Sequence, residues 1–505
     1  INPHTTYYFR EEAHMVSEQG LDAYGALTWG QFFIYQGFNE SNGWMHTSTR
    51  SDVIDEFAET IIEKDGKLFY KFGDEEREVT VSTETIDYKT DDGMASRDFT
   101  IYHTHHGPVI RGEGDKWISV QLMNVPLTAL NQSYTRAKTS SYAEFYEMMR
   151  LKSNSSNNTV YADKDGNIAY FHGNYHPIRN ADAYDYNNPV DGSNPDTDWK
   201  GLHPVEDAIN LLNPGSGWLY NANNWPFSAA GPDHSPKKED YPSYMSVNFE
   251  NPRGEHAVAL YPTINDFTVE TLIEAGYDTH LPSFERFVPV LKSAYDAAPD
   301  ESLIEAVDML VAWDKRSSMQ SVETSLANHF GNELWKNLPP RGSVDPYDQY
   351  AFLETQVSGD KYLVALKDAL AQMEADFGSW KVAWGEMNRF QRNTSDIVQT
   401  FDDTKPSHPS KLVTARWGGL ASVGSRQYPG TKKWYGTSGN SFIASVEFGD
   451  KVRAKALMAG GLNSDPASPH FDDQGAMYGK GEFRDVHYYK EDVDANTQRT
   501  YHPGE

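Results

Sequence analysis

An α+β fold is what this sequence predicts, on three observations. Up to about residue 260, short β-branched and aromatic runs alternate with turn clusters; between about 265 and 390 the apolar residues switch to helical spacing; strand-like runs then return near the end. The chain accordingly divides into a β-rich half (1–260), a helical insertion covering the sheets (261–392) and a C-terminal segment (393–505) whose strands rejoin the first half in space.

Taken in order, Phe32-Phe33-Ile34-Tyr35 ahead of Gly37 and Val79-Thr80-Val81-Ser82-Thr83 are bulky, β-branched runs that suit a pleated surface. Residues 158–171 read as a hairpin, because Asp165-Gly166 supplies the positive φ of a tight turn between two apolar runs. Asp163, Asp165 and Gly166 also match part of a calcium loop, but its twelfth position falls on Asn174 where a bidentate Glu is needed. Residues 182–198, rich in Asp, Asn, Gly and Pro, read as a solvated surface loop. Within the insertion, Leu303, Ile304, Val307, Leu310 and Val311 repeat at helical spacing, as do Leu363, Ala365, Leu366, Ala369 and Leu370. Strands are expected again over 441–448 and at Val486-His487-Tyr488-Tyr489.

Composition narrows the function. The 505 residues carry 73 acidic against 44 basic side chains, a net charge of −29 that repels phosphate backbones and anionic membranes, so neither nucleic acid nor a membrane is an expected partner. No apolar stretch approaches the ~20 residues needed to cross a bilayer. With no cysteine there is no thiolate nucleophile and no Cys-ligated zinc. The start, Ile1-Asn2-Pro3-His4, has no initiator Met and no targeting segment, and reads as that of a processed or fragmentary chain.

His103, His105 and His106 precede Gly107-Pro108, and strand alternation would set His103 and His105 on one face, a zinc-binding geometry. No HExxH or carboxylate partner lies at a supporting spacing, so ordinary strand histidines are the stronger reading. GxSxG, Walker A and GxGxxG patterns are all missing, which removes the commonest α/β-hydrolase, NTPase and dinucleotide readings.

A wider pattern remains. Asp198-Trp199-Lys200-Gly201, Asn213-Pro214-Gly215-Ser216-Gly217, Asn221-Ala222-Asn223-Asn224-Trp225 and Pro177-Ile178-Arg179 occur with His106-Gly107-Pro108-Val109, Gly37-Phe38-Asn39 before Trp44, Ala312-Trp313-Asp314, Trp384-Gly385-Glu386 and 468–474. In order and spacing these resemble the β chain of the penicillin acylase family, which includes penicillin, aculeacin and acyl-homoserine-lactone acylases, over nearly the whole chain. The resemblance implies a four-layer αββα N-terminal-nucleophile hydrolase fold with two stacked antiparallel sheets. It also implies hydrolysis of a small N-acyl amide, a β-lactam side chain or acyl-homoserine lactone among the options, through an acyl-enzyme. In this family the β chain opens with a Ser whose own α-amine, with an ordinary pKa near ~8, is the base. Asn2-Pro3-His4 matches a motif some ~20 residues downstream of that Ser, so the attacking residue is expected outside these residues. Ser41 in Ser41-Asn42-Gly43-Trp44 mimics the family's opening, but Gly37-Phe38-Asn39 ahead of it marks an internal turn.

Residue by residue, the resemblance makes Asn223 the side-chain oxyanion donor, with a turn Asn as the alternative, and the backbone N–H of Ser48 its partner. Arg253 matches the arginine that orders the nucleophile's terminus, and His4 the position that contacts it. No cofactor is required for the chemistry. A structural calcium is implied through Asp52, the Ile54 carbonyl and Asp55, with Asn187 or Asp191 as further carbonyl donors, although a further family Asp is replaced by Met245. The implied partner is an α subunit from the same precursor, forming a heterodimer after autoproteolytic processing, in a periplasmic or secreted bacterial enzyme of antibiotic metabolism. Two other readings stand beside this one: a catalytically silent acylase-fold protein, and a carbohydrate-binding or carbohydrate-processing protein, which would need two carboxylates facing one cleft.

Overall fold

The computed structural model describes residues 1–8, 10–340, 348–502 and 504. Its centre is a seven-stranded antiparallel sheet in the order Asn210–Leu212, Ile168–His172, Asn157–Asp163, Asn42–Ser48, Gln36–Phe38, Leu21–Thr28, Arg10–Ser17. The strand Leu21–Thr28 explains why both faces are covered. Leu21, Ala23 and Leu27 point to one side, where Phe145, Met148 and Met149 of the helix Tyr142–Met149 pack with Trp44 and Tyr161. Ala26, between Ala23 and Leu27 but of opposite parity, packs on the other side against Phe442, Ala444, Ala456 and Met458 of a second sheet. Beyond that sheet lies the helix Val269–Gly276, where the Ser445 hydroxyl donates to the Val269 carbonyl at 3.0 Å. Helix, sheet, sheet and helix thus stack as four layers, the α+β arrangement expected.

The C-terminal strands do rejoin the start of the chain. His4–Thr6 pairs antiparallel with Trp434–Asn440, and Phe442–Glu447 pairs with Arg453–Met458, which in turn pairs with Arg484–Asp485. The expected hairpin forms in register Asn158↔His172 to Ala162↔Ile168, closed by Gly166 at φ 88°. Asp163 Oδ1 accepts the backbone N–H groups of Asp165 and Asn167 at 3.0 and 2.9 Å, so this carboxylate serves its own turn.

Helices fill the insertion, and they bury Phe284, Leu310, Phe330, Leu366 and Trp417 in a hydrophobic core of their own. Their expected faces form within Ile304–Ala312 and Gly359–Phe377, where Val307, Leu310, Leu366 and Ala369 are buried while Ile304 and Val311 stay exposed.

Four local readings need correction. Phe32–Tyr35 is irregular, and the strand begins one residue later at Gln36. Residues 486–489 follow the strand Arg484–Asp485 without continuing it; Tyr488 is instead a core side chain against Phe38. Residues 182–198 are not wholly solvated, because Val190–Asp191 adds in parallel to Asp55–Lys64 and Tyr186 and Val190 pack on Phe57. The β-rich half also contains the helices Pro126–Arg136 and Tyr142–Met149, both signalled by their starts: Pro126 in the first turn, and Ser141 capping the Glu144 N–H. Among the described residues no helix is long and apolar enough to cross a membrane.

Candidate active site

A cavity of about 410 Å³ opens where the two sheets meet, and Asn223, Ser48, Arg253 and His4 all line it. They arrive from separate elements. Ser48 ends the strand Asn42–Ser48, which pairs with Asn157–Asp163. The N–H of Thr49 bonds to the Ser156 carbonyl at 2.9 Å, so by strand alternation the Ser48 N–H points the opposite way, off the paired edge. Its carbonyl is fixed by Asn158 Nδ2 at 3.1 Å.

Asn223 sits in a loop at φ 60°, the left-handed region that Asn tolerates better than most residues. Its N–H donates to Asn221 Oδ1 at 2.9 Å, and its own Oδ1 accepts from Arg253 Nη2 at 2.9 Å. A guanidinium can only donate, so Arg253 determines which way the amide faces. The amide nitrogen must point away, and among the described residues no acceptor meets it.

Arg253 lies in the first turn of the helix Pro252–Leu260, which Asn251 caps by accepting the Gly254 N–H at 3.0 Å. The helix start is anchored by Glu250, a half-buried carboxylate that accepts from Asn224 Nδ2 at 2.9 Å, Trp225 Nε1 at 2.8 Å and the Asn251 N–H at 2.9 Å. Burial pushes the Glu250 carboxyl up even against these donors. Gly254 is required here: a Cβ on it would fall 1.9 Å from Glu250 Oε1.

His4 Nδ1 lies 3.1 Å from Ser422 Oγ and 3.5 Å from Arg253 Nη1. Desolvation, and secondarily the Arg253 charge, lower the His4 pKa to about 3; desolvation also lowers Arg253 to about 10. His46, in the same lining, is held well below its ordinary value by burial. Among the described residues no carboxylate lines the cavity, which also takes in Arg10. The described lining is thus a cationic recess in an acidic protein, with amide donors and without the paired carboxylates that glycan processing would need.

Sequence reasoning missed Glu250, Asn221 and Asn158, whose roles are contacts across 22–174 residues of chain. Ser41, by contrast, lies in the expected turn, its N–H donating to Asn39 Oδ1 at 2.8 Å.

Asp52, Ile54 and Asp55 stand together away from this lining, but their carboxylates face a guanidinium. Fully buried Arg179 donates to Asp55 Oδ2 at 2.7 Å and to Asp52 Oδ2 at 2.9 Å, and Trp199 Nε1 also reaches Asp55 Oδ2. Asp55 Oδ1 is buried with no partner, and burial pushes this carboxyl up to about 6 despite Arg179. That leaves one carboxylate oxygen and the Ile54 carbonyl, where calcium takes some ~6–8 oxygens. Among the described residues these donors do not make a calcium shell.

Comparisons with known proteins show what the chain is similar to. The family model described as penicillin amidase matches residues 1–495. Penicillin acylase 2 proenzyme of Pseudomonas sp. (strain SE83) is 24% identical over 476 residues, covering 88% of this chain and 58% of that protein. The acyl-homoserine lactone acylase PvdQ of Pseudomonas fluorescens (strain Pf0-1) is 22% identical, covering 96% and 65%. The chain thus spans roughly three-fifths of the length of these curated relatives. Among solved structures, the thermostable penicillin G acylase from Alcaligenes faecalis superposes with a TM-score of 0.69 at 20% identity, over 99% of this chain and 95% of that one.

Proposed function

The chain belongs to the penicillin amidase family, and from that premise we propose that it acts as the β subunit of an amidohydrolase cleaving an N-acyl amide to a carboxylic acid and an amine. The observation that supports this reading is that Asn223, its amide oxygen held by Arg253, lines one cavity together with Ser48. An acyl carbonyl seated there would develop its negative charge between two fixed N–H donors, an arrangement in which each donor contributes about 2.7–4 kcal/mol to the transition state.

In this reading the base comes from elsewhere. His4 and His46 are neutral and too weakly basic, and among the described residues the lining holds no carboxylate. In this reading the proton acceptor is the α-amine of an N-terminal serine contributed from outside these 505 residues. The serine hydroxyl bonds to the acyl carbon as the α-amine takes its proton. The tetrahedral intermediate collapses with expulsion of the leaving amine, which receives that proton, and water then cleaves the ester. The α subunit of the same precursor completes the cleft, in a periplasmic or secreted enzyme; the description of one relative as a proenzyme supports processing.

Amino-terminal sequencing and intact mass of active material, followed by stopped-flow hydrolysis of phenylacetyl, phenoxyacetyl and long-chain acyl amides, test the proposal. A stoichiometric burst of amine with a free N-terminal Ser is expected. Turnover without any acyl-enzyme, or no hydrolysis across the panel by correctly processed protein, overturns it.

A further inference from the structure

Outside the cavity, the turn after the strand Gly93–His103 carries two adjacent histidines against an aspartate from a distant loop. We propose that His105, His106 and Asp198 form a binding site for one divalent ion of the zinc class, with its remaining coordination open to water.

One donor atom from each of His105, His106 and Asp198 lies within 4.8 Å of the other two. His106 Nε2 is 2.7 Å and His105 Nε2 3.4 Å from the carboxylate oxygen. Tetrahedral zinc at its usual bond lengths needs donor separations of about 3.3 Å, and the two histidine–aspartate separations bracket that value. His103, the residue that strand alternation favoured, is not in the group.

The surroundings orient these donors. Glu59, fully buried, accepts from His106 Nδ1 at 2.8 Å and is held by the Ser119 and Thr104 hydroxyls at 2.6 and 2.7 Å. With Nδ1 committed as a donor, Nε2 is the nitrogen left to ligate, the carboxylate–histidine arrangement that supports metal-bound imidazoles. Phe57 stacks on His106 at 3.7 Å between centroids, and Tyr70 stacks on His105 at 5.6 Å. The second oxygen of Glu59 is buried without a partner, so this pocket carries negative charge that its own hydrogen bonds do not fully meet. Access is open, because the side chains of His105 and Asp198 are each 27% exposed. Two imidazoles with one carboxylate favour zinc, cobalt, nickel or copper over calcium or magnesium.

Titration of the full chain with Zn²⁺ by calorimetry should give one site. Cobalt substitution should give the intense visible band of a tetrahedral ion. His105→Ala, at an exposed position that should leave the fold intact, is expected to weaken zinc by about 100-fold and abolish the cobalt band, while Glu59→Gln weakens it about 10–100-fold. His103→Ala should change nothing. Zinc affinity unaltered by His105→Ala, or lost equally in His103→Ala, overturns the assignment, as does the lack of a one-to-one site in the parent chain.

Discussion

Replacing Asn223 separates its side chain from its backbone, and the structure says which replacement does so cleanly. At φ 60° an alanine meets the steric cost of the left-handed region, about 1–2 kcal/mol, whereas glycine does not. Asn223→Gly removes the amide while leaving the N–H that donates to Asn221. Both variants lose the acceptor for Arg253 Nη2 and the donor aimed at the cavity. If that donor holds the developing oxyanion, kcat falls about 10²–10³-fold in either variant, equivalent to about 2.7–4 kcal/mol of transition-state stabilisation. KM moves far less, because the interaction strengthens only as charge develops. Thermal unfolding should rank the two, with Ala below Gly by the backbone term alone. Steady-state hydrolysis of a chromogenic acyl anilide, alongside calorimetric Tm, measures both quantities. Turnover within about threefold of the parent for Asn223→Gly, a barrier change of under 1 kcal/mol, would refute the oxyanion assignment.

Gly254→Ala drives a methyl into Glu250 and should cost about 1–3 kcal/mol, read as a lowered denaturation midpoint together with lower kcat; an unchanged midpoint contradicts the packing argument. Arg179→Met strips the buried carboxylates of Asp52 and Asp55 of their cation and should destabilise by about 3–5 kcal/mol, with Asp55→Asn added to it recovering part of the loss; parent-like stability of Arg179→Met would sink this account. Burial lowers the pKa of fully buried His172 to about 3, so the folded state binds fewer protons than the unfolded state below the ordinary value, and stability drains away as pH falls. Between about pH 7 and pH 5 the parent should lose about 2 kcal/mol more than His172→Gln does, by urea denaturation at each pH; equal losses argue against a buried neutral imidazole.

Periodicity and motif order made the fold class and the four cavity residues legible, because both are properties of local sequence. Alternation placed the hairpin at 158–171, and the Asn-rich run around Asn223 and the Asn-Pro-Arg-Gly run around Arg253 stand out as written. Where local pattern misled, a tertiary contact was the competing force. Aromatic residues at 486–489 mimic a strand, yet Tyr488 is held by packing on Phe38 and by its hydroxyl donating to the Asp22 carbonyl at 2.9 Å. The polar stretch 182–198 offers little apolar signal, yet one edge of Asp55–Lys64 was open to receive Val190–Asp191.

What the sequence by itself determined is local: a net charge of −29, no cysteine thiol, and Asn-rich loops in the order and spacing of the penicillin amidase family. Only the tertiary structure decided how those residues are used. Arg253 reaches back 30 residues to turn the Asn223 amide, Arg179 crosses 124 residues to occupy the Asp55 carboxylate, and His106 meets Asp198 from 92 residues away. The physical reason is that a hydrogen bond or ion pair depends on angstrom-scale placement, and side chains separated by that much chain acquire it only when the sheets between them have packed.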